Sequence, residues 1–410
     1  MTLAAGLYKQ VTYKAETTYG AQPTAASAQS LRRVSSTLDL NKETYQSAEI
    51  RTDLQVADFR HGVRRVKGSI QGELSCKTYA DFIAAAVKKD FAAGVSASAV
   101  GITIAGTYAG WTVTRAAGSY LTDGFKIGDV IRLSVGSLNA ANISRNLLII
   151  ALTATIATCL TLNNSNAATG GTAMVAEGPI TGCTVTVQGK KTFIPSTAHT
   201  DKSYSIEHFY SDITQSECFT GCKVDKISLN LPPTGMATIG IDFMGQNLIS
   251  AASQFFTSPT GATTTSALAS VNGVVRLNGV TVAILTGLTL SIDPGFTGDP
   301  VAGSNVVPNL FPGTVNVTGQ ATAYFQDTSL RDVFVNETEV DLYAVFTADN
   351  TAAADFIAFS MPRMKLGGAA KNDGQGGLVQ TMPFRVLKNV NGGAGIATEA
   401  TTISVQDAQA

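Results

Sequence analysis

The sequence predicts a mainly β chain: two similar tandem modules, each a β-sandwich or barrel with a short helix, and a small β domain inserted into the first. Three observations carry this expectation. Period-two alternation of apolar and polar residues marks long strands. A strand–turn–helix unit, "RHGVRRVKGSIQGELSCKTYADFIAAAV" at 60–87, has a degraded copy at 311–335, "FPGTVNVTGQATAYFQDTSLRDVFV". Residues from about 95 to 190 have no counterpart in the second copy.

A shift of 251 places Gly62 on Gly313, Val66 on Val317, Gly68 on Gly319, Leu74 on Phe325 and Asp81 on Asp332. In the first copy Val66, Gly68, Ile70, Gly72 and Leu74 share one face of a strand, and Arg65, Lys67, Ser69, Gln71 and Glu73 share the other. Val317, Gly319, Ala321, Ala323 and Phe325 repeat the first face; Asn316, Thr318, Gln320, Thr322 and Tyr324 repeat the second. Each strand leads into a helical turn in which Thr78 or Thr328 is placed to cap, with an Asp in the first turn. Upstream, "STLDL" (36–40) and "TGLTLSI" (286–292) are matching strands, each followed by a long loop. The first loop (41–62) is charged, and the second (293–313) is rich in Pro and Gly. Loops of that length are usually functional or ordered by a partner.

The expected organisation is an N-terminal arm (1–29), a discontinuous first module (30–94 with 191–256), the inserted β domain (95–190), a second module (257–390) and a C-terminal tail (391–410). Short strands such as "GITIAG", "WTVTRA" and "CTVTVQG" with regular turn spacing suggest that the insert is a small barrel or sandwich, and its composition fits an outward-facing decoration. The most apolar run, "NLLIIALTATIATCL" (146–160), reads as buried strand and is too short to span a bilayer as a helix.

Composition narrows the function. Only 14% of the residues are charged, against a usual share of about 25%. A chain with so little charge is expected to cover part of its surface with other subunits. The net charge of −1 argues against a general nucleic-acid-binding surface, and "RRVKG" reads as a solvated or subunit-pairing face. Five Cys, an odd number, suggest reduced thiols and synthesis in the cytoplasm. The N-terminus shows no signal-peptide pattern.

Enzyme signals are weak throughout the sequence. His199 and His208 lack partners at metal-ligand spacing, and "CFTGC" (218–222) has no second pair. "GQGG" (374–377) reads as a turn, "DGFKIGD" (123–129) as a turn entering a strand, and no carboxylates pair for acid–base work. No catalytic, metal or cofactor residue is assigned. A carbohydrate-acting enzyme would need convergent carboxylates or aromatics, and Trp111 is the only tryptophan.

The residues of 45–87 do carry a resemblance. The near-N-terminal "YKQVTYKAETTYGAQP", the loop Ser47, Glu49, Ile50, Arg51, Asp53, and the G-x-x-x-V-x-G-x-I-x-x-E-L strand from Gly62 to Leu74 resemble the signature of bacteriophage tail tube proteins, especially those of long-tailed phages. The resemblance implies a non-catalytic virion protein without cofactors. Its subunits would form rings that stack into a tube around a lumen conducting DNA during ejection. It implies as partners the chain itself, tape-measure protein, tail terminator and tip proteins, and DNA passing without specific binding, with no membrane. Synthesis would be in the host bacterial cytoplasm. Two modules per chain would let a trimer imitate a hexamer. Glu49, Arg51, Asp53, Asp58 and Arg60 are then the expected inter-ring contacts, and Lys67, Ser69, Gln71, Glu73, Thr318, Gln320 and Thr322 the candidate lumen-facing positions. A capsid decoration protein or a cell-surface β-protein is the alternative. The first fits the duplicated strand unit less well, and the second lacks the expected export signal.

Overall fold

The computed structural model describes residues 3–107, 110–134, 136–162, 174–282, 284–373 and 375–410. The chain is mainly β: one extended network of antiparallel strands and a separate closed six-stranded barrel. In the first half the hydrogen-bonded order is Lys9–Ala15, Tyr204–Tyr210, Gln215–Leu231, Thr238–Gly245, Phe59–Glu73, Asp39–Gln46. In the second half it is Gly273–Leu277, Val340–Thr347, Phe356–Leu366, Val379–Val386, Asn316–Tyr324, Leu285–Asp293. A helix follows the long strand in each half, Ala80–Val87 and Ser329–Val335.

The alternation in sequence becomes burial. Val66, Ile70 and Leu74 are wholly buried, as are Val317, Ala321 and Ala323, while their odd-numbered or even-numbered neighbours stay at the surface. One apolar core runs through both halves. At its centre the Phe82 ring lies 4.6 Å from Tyr13, 5.1 Å from Tyr204 and 5.3 Å from Phe243. Burying each such ring contributes about 1.5–3 kcal/mol. The first helix is seated on this core along nearly its whole length, whereas no residue of the second is fully buried. That difference follows from "ADFIAAAV" against "SLRDVFV": small and apolar residues allow close seating, and Arg331 and Asp332 do not.

Thr328 takes the expected N-cap position and Thr78 does not, and neither hydroxyl makes a capping hydrogen bond. Thr78 Oγ1 meets Ser75 and Thr263 hydroxyls, and Tyr79 stands at the N-cap. Thr328 is the N-cap of the second helix, but its hydroxyl donates to Asp332 at 3.2 Å; the Ser329 N–H is satisfied by Asp327 at 2.9 Å instead. The first long loop is also shorter than expected. Thr44, Tyr45 and Gln46 pair with His61, Arg60 and Phe59, so 41–62 is a two-stranded arm whose loop is confined to 47–58. Both faces of that arm meet solvent, so no apolar alternation announced it.

The two halves share a sheet. Ile227–Leu231 continue beyond the first half and pair with Leu288–Ile292 of the second. The loop after Leu285–Asp293 folds back onto the first half, where Phe296, Val307 and Leu310 pack with Val63. Lys223, buried, fixes it by donating from Nζ to the Leu310 carbonyl at 2.8 Å and the Asn309 side chain at 3.1 Å.

The insert closes as a barrel of Ser96–Thr107, Gly110–Arg115, Val130–Ser134, Leu147–Leu152, Ile156–Thr161 and Glu177–Val187. The apolar run 146–160 makes two of its strands. Trp111, Val113, Leu133, Ile149 and Val185 belong to its own core. The barrel is braced on the second half rather than hung from the first. Val130, Leu148 and Leu162 pack against Val345, Phe356 and Ala358. The Gln406 amide both donates to and accepts from the Val130 backbone at 2.9 Å, and Lys126 Nζ donates to the Gly393 and Ile396 carbonyls at 2.6 Å. The arm and tail of the sequence are strands as well: Lys9–Ala15 pairs with Tyr204–Tyr210, and Ser404–Asp407 lies between Lys190–Phe193 and Phe356–Leu366. The turn expected at 374–377 includes Gly374, which lies outside the described residues.

Candidate functional site

Residues directly opposite on antiparallel strands point to the same face. The pairing therefore builds rows across the shared sheet. One row is Gln71, Gly240, Ser228, Ser291, Thr318, Arg385. The next is Glu73, Thr238, Asn230, Thr289, Gln320, Pro383. Ser69 continues to Asp242 and Lys226, and Thr322 is flanked by Gly287 and Thr381. Lys67, Ser69, Gln71, Glu73, Thr318, Gln320 and Thr322, expected from two separate strands, thus lie on one face of one six-stranded sheet. The opposite face carries Ile70, Ile227, Leu229, Leu288, Leu290 and Val317, all buried.

Sequence reasoning found strands at 223–245 and 286–292 but did not place them between the two stripes. Ser228, Asn230, Thr238, Thr289 and Ser291 complete the surface, and the alternation in "KISLNL" and "LTLSI" was the available signal. Hydroxyls and amides dominate this face. Its charges are mixed: Lys67, Lys226 and Arg385 against Glu73 and Asp242. Burial raises the Asp242 carboxyl above its ordinary range, opposed by the neighbouring Lys226.

The arm ends in a different kind of surface. Arg51 pairs with Asp53 at 2.7 Å and Arg60 with Asp58 at 2.7 Å, so four of the five expected contact residues neutralise one another locally. The Arg51 guanidinium holds the Asp53 carboxyl below its usual range. Glu49 is exposed beside them, its N–H donating to Ser47 Oγ at 3.3 Å. Arg60 lies in the strand, not the loop. Among these charges the side chains of Ile50 and Leu54 are almost wholly in solvent, 103% and 94% exposed, and Val56 and Phe59 are more than half exposed.

Among the described residues no cluster of His, Cys, Asp and Glu could hold a metal ion. All five thiols are buried, and burial pushes those of Cys76, Cys159, Cys218 and Cys222 above the ordinary range, which leaves them unreactive. No helix of the described residues is long and apolar enough to cross a membrane.

A family model described as phage tail tube protein matches residues 7–386. The chain belongs to the phage tail tube family. No curated protein sequence matches it. As a tail tube protein it is a structural component of the virion tail that assembles into a tube, and the match runs through both halves and the barrel between them.

Proposed function

We propose that this tail tube protein polymerises as stacked rings around a lumen, that the polar face lines that lumen, and that DNA passes along it during ejection without any catalysed reaction. The observation that carries the reading is the continuous polar face across six strands from both halves. Serine, threonine and amide groups exchange hydrogen bonds with water readily, and mixed, sparse charge gives phosphates no fixed grip. Tape-measure protein inside the lumen, and terminator and tip proteins at the ends, complete the set of partners.

The two halves are read as duplicated tube modules, 30–94 with 191–256 and 257–390, with the barrel 95–190 as an insert. Their strand orders coincide from first to last. A finer agreement supports this: a Cβ on Gly68 would stand 2.4 Å from the Thr37 carbonyl oxygen, and one on Gly319 2.3 Å from that of Thr289. Three chains then supply six modules, and the ring is a trimer with pseudo-six-fold symmetry. The projecting arm, with Glu49, Arg51, Asp53 and Asp58 in its loop and Arg60 in its strand, makes the contact between rings.

Electron microscopy of the purified protein at high concentration tests this. Hollow rings or tubes of three chains are expected. Rings of six whole chains would remove the duplication while keeping the tube, and solid or unassembled particles would count against the lumen.

A further inference from the structure

The joint between the two halves is a template for the joint between chains. Gln71 pairs with Gly240, which pairs with Ser228, which pairs across the joint with Ser291. In the second half Thr322, the counterpart of Gln71, pairs with Thr381, and Thr381 pairs with Ala370. Ala370 therefore occupies the position of Ser228. Among the described residues no strand takes its outer side. At the other end of the sheet, Ser291 pairs with Thr318 and Asp39 pairs with Lys67, the counterpart of Thr318. Asp39 therefore occupies the position of Ser291, and the outer edge of its strand is also without a strand partner among the described residues.

We propose that the edge Ala369–Asn372 of one chain pairs antiparallel with the edge Thr37–Leu40 of a second copy, with Ala370 directly opposite Asp39. The inference rests on the ring reading above and specifies which edges close the ring and in what register. By the same register Ala369 meets Leu40, Lys371 meets Leu38 and Asn372 meets Thr37.

The backbone is prepared for this. The Thr37 N–H donates inward to the Ser69 carbonyl at 2.9 Å, so Leu38 and Leu40 direct their groups outward. Side chains stand in for the missing strand: Lys9 Nζ donates to the Ser36 carbonyl at 3.1 Å, and the Asp39 carboxylate accepts from the Leu40 N–H at 2.7 Å. On the other edge the Asn372 N–H donates inward to the Val379 carbonyl at 3.0 Å, which turns the groups of Lys371 outward. Asp39 and Ala370 then form a non-hydrogen-bonded pair, the arrangement that brings side chains closest. Composition agrees. Where the internal joint has Ile227 and Leu229, this edge has Ala369 and Lys371, preceded by Gly367 and Gly368. An edge that waits in water for a partner is kept from wrong pairing by small and charged residues. Because the two edges differ, the contact is head-to-tail and closes only as a ring.

Cysteine pairs read the register. Asp39→Cys is combined in turn with Gly368→Cys, Ala370→Cys and Asn372→Cys; the buried native thiols give little background. Ser228→Cys with Ser291→Cys, directly opposed within one chain, is the positive control. After mild oxidation the Ala370 combination should cross-link most chains into covalent oligomers ending at the trimer, and the other two combinations only a small minority. Rings seen by microscopy without the Ala370 cross-link, or with a preference for position 368 or 372, would overturn this pairing while leaving the ring. Chains that form neither rings nor cross-links would overturn the ring itself and the pairing with it.

Discussion

Gly68 lies so close to Thr37 that only hydrogen fits between them: a Cβ would stand 2.4 Å from the Thr37 carbonyl oxygen, and the glycine φ of 152° is one that other residues rarely adopt. Gly68→Ala should therefore destabilise the chain by roughly 2–3 kcal/mol through backbone displacement and strain. Gly319→Ala, facing Thr289 and the Phe384 ring, should cost about 1–3 kcal/mol. Thermal melting of the two variants checks both, and a melt unchanged from the parent would show that the strands part easily at these points.

Lys223 holds the second loop. Its ammonium meets Asp201 at 2.5 Å and the Leu310 carbonyl at 2.8 Å with its side chain 2% exposed. Lys223→Met keeps the bulk and removes the donors, leaving the Leu310 oxygen unsatisfied, at a cost of roughly 2 kcal/mol. Asp201 is partly exposed and can rehydrate, which limits the loss. Hydrogen exchange should accelerate through residues 296–311 while the barrel is unaffected.

His208 makes the fold sensitive to acid. Burial, with Lys9 and Arg33 nearby, depresses its imidazole to about 3, and its Nε2 lies 2.8 Å from Ser36 Oγ. An unfolded His takes up its proton near pH 6.5. Stability is thus full above that pH and falls as the medium is acidified toward 3, by at most about 1.4 kcal/mol per pH unit. His208→Gln should flatten the fall in melting temperature between pH 6.5 and 5. An unchanged slope would place the acid sensitivity elsewhere.

Asp407 works in the opposite direction. Burial raises its carboxyl to about 6. Its charged form is penalised only in the folded chain, so its favourable contribution is present at low pH and lost as pH rises from about 4 through 6. Asp407→Asn, still able to accept from the Lys77 N–H, should gain stability relative to the parent at pH 7.5 but not at pH 4.

The projecting loop offers the assembly test. Arg51→Glu should block stacking of rings while leaving the subunit folded, since the residue touches only its own loop. Leu54→Asp should act more strongly, because a 94% exposed leucine contributes only when a partner covers it. Tubes of normal length from both variants, seen by microscopy, would remove the loop from the contact.

Much of this molecule was legible because strands announce themselves by alternation. Val66, Ile70 and Leu74 reported a one-sided strand, and the 251-residue echo pointed to a second one, Asn316–Tyr324. What stayed hidden depended on partners distant in sequence. Nothing in "STLDL" or "KISLNL" says that they end on the same sheet, since antiparallel pairing leaves no mark on either strand alone. Residues 41–46 read as loop from sequence, because solvent meets both faces of this part of the strand Asp39–Gln46. Thr78 looked like a cap until Ser75 and Thr263, three and 185 residues away, claimed its hydroxyl.

The barrel's brace has a mechanical consequence. The two halves are fastened three times over: by the sheet at Ile227–Leu231, by the loop under Lys223, and by the barrel, which leaves the first half and grips the second at Val130 and Gln406. A load bending such a filament finds little compliance inside a subunit. Curvature must be taken up at the seams between chains, so the stiffness of the assembly is governed by contacts between subunits and not by the apolar cores within them.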